Sequence, residues 1–227
     1  VNVGLGVQGG VGHKPPKTYF DRWLLSRPEL KGSELLEGGG AVVPTRDPLK
    51  SFVGKGLVVL GDAGYTVNPI HGGGIGSAML AGKLAAEAFE EAYDRGKFDE
   101  SGLWSLNVKF MRSYGAKQAS LNLFRMFLQA LSNEELQYGI KKKLIKGEDV
   151  DAVSREGELH LSVAEKALRL LSGISKPSLL FKLRFVARCM KEAKELYKSY
   201  PENVEGFKDW AKKVEELKTR FLEELKG

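Results

Sequence analysis

Hydrophobic and polar positions change their rhythm near residue 76. Upstream, apolar residues alternate or fall in short runs between glycines and prolines. Val1-Asn2-Val3-Gly4-Leu5-Gly6-Val7 alternates and reads as a strand already under way. Gly9-Gly10 and Lys14-Pro15-Pro16 break it. Thr18 to Ser26 predicts a short amphipathic helix, and Leu35 to Val43 a strand interrupted by Gly38-Gly39-Gly40. Pro44 and Pro48 bracket a loop. Leu57-Val58-Val59-Leu60 is apolar and β-branched, ends in Gly61-Asp62, and predicts a buried strand.

Downstream the pattern is helical. Ser77 to Tyr93 is dominated by Ala, Leu, Met, Lys and Glu, strong helix formers. From Leu103 onward nearly everything follows helical spacing, with a loop expected near Gly147 to Gly157. Ser132 and Glu135 fit a capping box. Ser175-Lys176-Pro177 reads as another helix start. Leu179, Leu183, Val186 and Met190 then form an apolar stripe. Pro201 ends that helix, and a last one is expected from about Val204 to Leu225. The chain therefore divides into an α/β region, residues 1–95, and a helical region, residues 96–227, with no internal repeat.

Composition narrows the function classes. Hydrophobic residues are 42% of 227, enough for a packed core. Lys and Arg total 35 against 29 Asp and Glu, a net charge of +6 that favours anionic surfaces without singling out nucleic acid. The one cysteine, Cys189, excludes a disulfide framework and fits a reducing compartment. No Cys/His spacing suggests a zinc site, and no apolar run is long enough to span a bilayer. The expected location is cytoplasmic, with peripheral contact on the inner face of a membrane. The chain opens on Val1 inside an alternating stretch, which reads as a fragment or a truncated reading frame.

The chemistry concentrates between Gly56 and Ala78: strand, acid, loop, glycine cluster, helix. A carboxylate at the end of a buried strand, here Asp62, faces the crevice where open α/β sheets bind ligands. Ionised, it only accepts hydrogen bonds, which suits a polyhydroxy chain. Gly72, Gly73 and Gly74 keep side chains away from the helix start, so a flat ring or a phosphate can reach its unpaired N–H groups. The positive end of the helix dipole favours negative charge there. Three glycines before a strong helix are costly unless close approach is needed. The bland alternatives are a turn-capping Asp62 and an ordinary loop at 72–74.

Gly61-Asp62-Ala63, then Val67-Asn68-Pro69-Ile70-His71-Gly72-Gly73-Gly74-Ile75, resembles the second FAD motif of hydroxylase-type flavoproteins, and in its wording the archaeal geranylgeranyl reductases. Asn2-Val3-Gly4-Leu5-Gly6, Val43-Pro44-Thr45, Leu57 to Leu60, and Tyr200-Pro201-Glu202 with Gly206-Phe207 are similar to further parts of that family. The resemblance covers most of the chain and is specific over about residues 56–82. It implies an α+β or α/β fold, the C-terminal portion of the FAD-binding flavoprotein fold followed by a helical region. It implies FAD as cofactor, an isoprenoid lipid as substrate, and reduction of carbon–carbon double bonds in geranylgeranyl chains of ether lipids. Asp62 would bind the FAD ribityl or pyrophosphate, beside Gly61 and Gly73, while Gly74 and Ile75 would offer backbone N–H groups. The family's N-terminal ADP-binding half, and its Tyr-x-Trp-x-Phe-Pro segment expected just before Val1, are not in this sequence. The electron donor, NAD(P)H or ferredoxin, stays open.

His71 has two readings, a proton or hydrogen-bond donor beside the flavin or a turn residue; Tyr65 and Asn68 are weaker candidates of the same kind. Cys189 reads as a small buried hydrophobe. Lys182, Arg184, Arg188, Lys191, Lys194 and Lys198 make one helix basic, either a solvated face or a contact with anionic lipid. Leu121, Phe124, Phe127 and Leu128 are either core or the lining of a lipid tunnel. Gly4-Leu5-Gly6-Val7-Gln8-Gly9 satisfies G-x-G-x-x-G, but the glycines and prolines after it leave no room for the required helix. Two other functions remain: a flavin monooxygenase or halogenase of the same fold, which Asp62-Ala63-Gly64-Tyr65 in place of Asp-Ala-Ala-His tilts against, and a non-catalytic lipid-binding or interaction module.

Overall fold

A computed structural model describes residues 2–141, 155, 157 and 177–226. Most of the loop expected near Gly147 to Gly157, and Ser175-Lys176, lie outside them. The chain divides into two compact units, residues 1–42 and 43–227. In the first, helix α1 (Pro16–Tyr19) runs into a π-helical turn (Phe20–Leu24), and a 3-10 turn follows at Pro28–Leu30. Pro16 is the first helical residue, a place where its missing N–H costs nothing. The strands expected at residues 1–7 and 35–43 do not form among the described residues. Leu36 and Val42 are 90% and 93% exposed, so no burial offsets the glycine entropy at 38–40.

The second unit is mostly helical with a two-stranded sheet. Strand β1 (Val53–Gly54) pairs antiparallel with β2 (Leu57–Val58), Val53 opposite Val58 and Gly54 opposite Leu57. Lys55 and Gly56 make the two-residue turn, with Gly56 at φ 74°. This corrects the sequence expectation of a buried strand at Leu57–Leu60. Leu57 is exposed and Val58 to Leu60 are half-buried, because among the described residues β2 has one partner strand and is covered on one side only.

Helix α2 (Ile75–Asp94) buries Ser77, Ala81, Ala85, Ala88 and Ala92, a small-residue face that lets α3 (Trp104–Phe110) pack closely. Ile75, Met79, Phe89 and Tyr93, on a flank of the same helix, are exposed. A π-helical turn (Met111–Gly115) joins α3 to α4 (Ala116–Ala130). Next comes α5 (Asn133–Lys141), with the expected capping box in place: Glu135 N–H donates to Ser132 Oγ at 3.1 Å, and Ser132 N–H to Glu135 Oε2 at 2.8 Å. Helices α6 (Pro177–Lys198) and α7 (Phe207–Lys226) complete the unit.

Two apolar clusters hold it. One joins Phe52 and Val53 to α2, α3, Tyr200 and Trp210. The other joins Leu121, Phe124 and Phe127 of α4 to Leu179, Leu183, Val186, Cys189 and Met190 of α6 and Phe221 of α7. Leu121, Phe124 and Phe127 are therefore core, with Leu128 packed against it, rather than the lining of a tunnel. No helix among the described residues is long and apolar enough to cross a membrane.

Candidate functional site

Beyond β2 the chain turns through a 3-10 helix at Gly61–Gly64. Gly61 takes φ 60° and Tyr65 takes φ 57°, a left-handed conformation that a non-glycine residue adopts at a cost. Two bonds close this turn: Tyr65 N–H to the Asp62 carbonyl at 3.0 Å and Thr66 N–H to the Gly61 carbonyl at 3.1 Å. It leaves the Asp62 carboxylate exposed beside the start of α2. A Cβ on Gly74 would stand 3.1 Å from Asp62 Oδ1 and 3.3 Å from Val67 Cγ2, so this position has almost no room for a side chain.

Asn68 organises the loop between acid and helix. Its buried Oδ1 accepts from Ile70 N–H at 2.9 Å and more loosely from His71 N–H at 3.4 Å. Its own N–H donates to the Gly73 carbonyl at 2.9 Å, and its carbonyl accepts from Gly72 N–H at 3.0 Å. Asn68 is thus a scaffold for the glycines. His71 is exposed, and its Nδ1 accepts from Gly73 N–H at 3.0 Å. An Nδ1 that accepts carries no proton in the neutral ring, so Nε2 is the donor. A Cβ on Gly73 would meet that ring at 2.7 Å, so the ring keeps this position only against a glycine.

Gly74 is the N-cap of α2 and brings no side-chain cap, leaving the N–H groups of its first turn uncapped. Ser77 instead donates its hydroxyl to the Gly74 carbonyl at 3.0 Å. The first turn, with Asn68 and His71 to Gly74 beside it, forms one wall of an open cleft of about 560 Å³. Leu80, Tyr114 and Lys117 complete its lining.

The structure therefore brings Gly61, Asp62, His71, Gly73, Gly74 and Ile75 to the start of one helix. Ile75 is 82% exposed, so its backbone is at the site while its side chain faces outward. Tyr65 is held differently: its carbonyl accepts from Gln118 Nε2, and its ring carries the Arg46 guanidinium at 4.8 Å.

Sequence reasoning missed Tyr114, Lys117 and Gln118. Tyr114 is turned toward the cleft within the π-helical Met111–Gly115, and π turns recur at functional sites. Burial raises its phenol above the ordinary value, opposed in part by Ser77. Gln118 is wholly buried in α4, and its Nε2 also donates to the Arg46 carbonyl at 2.8 Å. The available signal was Gln118, Ser120 and Asn122, polar residues that break the apolar pattern of α4 and are all buried.

No family model matches the chain. It is 50% identical over 226 residues to the digeranylgeranylglycerophospholipid reductase of Sulfolobus acidocaldarius, covering 99% of this chain and 50% of the relative. It is 31% identical over 180 residues to that of Methanoculleus marisnigri, covering 74% and 44%. To digeranylgeranylglycerophospholipid reductase 2 of Methanothermobacter thermautotrophicus it is 30% identical over 155 residues, covering 68% and 39%. The chain spans about half or less of the length of these curated relatives. Along nearly all of its own length, well beyond the segment around Asp62, it is similar to the archaeal digeranylgeranylglycerophospholipid reductases.

Proposed function

We propose that this chain is part of an FAD-dependent reductase that saturates carbon–carbon double bonds in the geranylgeranyl chains of archaeal ether lipids. The observation that carries the proposal is the meeting of Asp62 with the uncapped start of α2, at a glycine with almost no room for a side chain. That arrangement fits a flavin nucleotide: an acceptor for sugar hydroxyls stands beside backbone donors for an anionic or carbonyl edge. The relatives' shared name supplies the lipid class. Division at residue 95, into a cofactor side and a helical side, belongs to this proposal as a division of labour.

FAD, when bound, supplies the hydride; the protein supplies placement and a proton source. Asp62 binds the ribityl or pyrophosphate part, with Gly61 and Gly73 leaving space around it. Gly74 and Ile75 offer backbone N–H groups, and the positive helix end favours negative charge at that edge. His71 holds a proton on Nε2 at the cleft, fixed in orientation by the Gly73 N–H on its other nitrogen. Basic residues of α6, among them the exposed Arg184, Arg188 and Lys191, favour peripheral contact with anionic lipid. The likeness to reductases favours this reading over a monooxygenase or halogenase.

The test titrates FAD into the chain alone, and into the chain mixed with the half of the Sulfolobus acidocaldarius reductase that it does not match. Flavin fluorescence reports binding, and mass spectrometry under anaerobic reducing conditions reports hydrogen added to a digeranylgeranylglycerophospholipid. Asp62→Ala should weaken FAD binding. Absence of flavin binding in both arms refutes the proposal.

A further inference from the structure

Tyr65 sits where glycine is the usual residue. The bonds that close the Gly61–Gly64 turn, from Thr66 N–H to the Gly61 carbonyl and from Tyr65 N–H to the Asp62 carbonyl, pair as in a Schellman motif. That motif needs a left-handed residue just past the turn, and Tyr65 supplies it at φ 57° and ψ 40°. Among the described residues it is the one non-glycine with positive φ. The glycine stands one place earlier, where there is no room for a side chain: a Cβ on Gly64 would lie 3.0 Å from the Val59 carbonyl oxygen and 3.2 Å from the Phe52 ring. A bulky left-handed residue is strained and persists only where its surroundings leave it no alternative.

Those surroundings are fixed on both sides of it. The Gly64 carbonyl accepts Leu49 N–H at 3.1 Å, and Thr66 and Val67 are buried. At Tyr65 itself the hold comes from α4. Gln118, wholly buried, aims its amide nitrogen at two carbonyls, that of Tyr65 and that of Arg46, the latter at 2.8 Å. Two acceptors at one end of the amide fix which end is the nitrogen. Among the described residues the Gln118 Oε1 and the neighbouring Thr66 hydroxyl have no hydrogen-bond partner. A buried acceptor left unmade is costly, and methionine would fill the same space without it. What the amide adds is its pair of donors.

We propose that Gln118 is a positioning residue for flavin binding: it holds Tyr65 left-handed and, through the Tyr65 N–H on the Asp62 carbonyl, fixes the turn that presents the Asp62 carboxylate. This rests on the reading of Asp62 as a flavin ligand. Without Gln118, Tyr65 relaxes toward ordinary backbone, the bond at the Asp62 carbonyl opens, and the turn must re-form before flavin can bind. In a Tyr65→Gly variant the turn is indifferent to Gln118, because glycine is left-handed without help.

The experiment is a double-mutant cycle of Gln118→Met and Tyr65→Gly with two readouts. Hydrogen exchange in the chain without flavin follows the Tyr65 and Thr66 amides. FAD titration uses the chain mixed with the half of the Sulfolobus acidocaldarius reductase that it does not match. Gln118→Met alone should open both amides to exchange and weaken FAD binding roughly tenfold, the size of a left-handed penalty. Added to Tyr65→Gly, the same change should alter FAD affinity by about twofold or less. A role confined to packing would instead lower the melting temperature and the affinity alike in both backgrounds. Equal weakening with and without Tyr65→Gly, or amides still protected in Gln118→Met, overturns the proposal. Where Gln118→Met does not fold, Tyr65→Ala takes its place. Tyr65→Ala and Tyr65→Gly both lose the ring that Arg46 covers, yet only alanine resists the left-handed region, so Tyr65→Ala should bind FAD several-fold more weakly. Equal affinity of those two variants also overturns the proposal. Flavin bound by the parent and indifferent to Gln118 would sink the positioning role and leave the reductase standing. A parent mixture that binds no flavin refutes the flavin reading, and the role of Gln118 with it, even where exchange shows that Gln118 holds the turn.

Discussion

Asn107→Ala should be among the most destabilising single changes in this protein. Asn107 is wholly buried on α3 and reaches across to the chain leading into β1. Its Oδ1 accepts Phe52 N–H at 2.7 Å, and its Nδ2 donates to Ser51 Oγ at 2.9 Å. Phe52 is 1% exposed and packs edge-on against Phe110 with centroids 4.8 Å apart, so its amide cannot turn to water. Truncation removes the bond and leaves a buried donor unmade, worth about 1–3 kcal/mol. Ser51 loses less, since its hydroxyl still donates to the Val53 carbonyl at 3.1 Å. With the small cavity added, the expected loss is about 2–4 kcal/mol. For a chain of this size that lowers the melting temperature by on the order of 5–15 °C. Circular dichroism melts measure it, and hydrogen exchange at the Phe52 amide shows where the loss falls. A variant melting within about a degree of the parent, with the Phe52 amide still protected, would refute the reasoning.

Other outcomes follow from the same geometry. Gly74→Ala must push Asp62 or Val67 by a few tenths of an ångström; the exposed Asp62 gives way, so stability changes by about 1 kcal/mol or less while flavin affinity drops, as a melt and a titration would show. Gly73→Ala places a Cβ 2.7 Å from the His71 ring, which swings off and loses the Gly73 N–H; the nitrogen chemical shift of His71 Nδ1 should move. Ser132→Ala should cost about 1 kcal/mol by denaturant titration, through loss of the capping box. Lys109, then Ser105, hold the Glu91 carboxyl below its ordinary value of 4.5. A depressed acid stabilises above its unfolded value and loses that contribution as the pH falls through its folded one, so Glu91→Gln should flatten the loss of stability below about pH 4.5.

Helical spacing and capping chemistry are local, and they were legible. The stripe Leu179, Leu183, Val186 and Met190 is buried as its period requires, and Ser132 and Glu135 cap each other as their spacing requires. Strands were not legible, because a strand is stabilised by a partner that its own residues do not specify. Residues 1–7 alternate and residues 35–43 carry apolar ends around three glycines, yet neither segment pairs with anything among the described residues. Glycines 72–74 were legible as a close approach, though two of the approaching groups turned out to belong to the protein itself: the His71 ring against Gly73 and the Asp62 carboxylate against Gly74. Lys117 was illegible, since one lysine in an amphipathic helix reads as solvated surface until the fold puts Gly157 over its stem.

The residues that support the site lie far from it in sequence. Asn107 holds the chain at Phe52, Gln118 holds it at Arg46 and Tyr65, and the Tyr200 hydroxyl donates to the Lys50 carbonyl at 2.8 Å. Each is a buried side chain from the helical part, and each satisfies backbone in a segment too poor in regular structure to satisfy its own. The segment carrying Asp62 is therefore ordered by helices that follow it by 40 residues or more. Tyr200→Phe makes the case in one atom. It removes only the hydroxyl, leaves the ring stacked on Trp104 and edge-on to Trp210, and costs about 0.5–1.5 kcal/mol. If these ties act together, exchange at the β1 and β2 amides should speed up while the α6 amides stay protected. Uniform acceleration across both would mean that Tyr200 serves the core alone, with no particular hold on the segment that leads to Asp62.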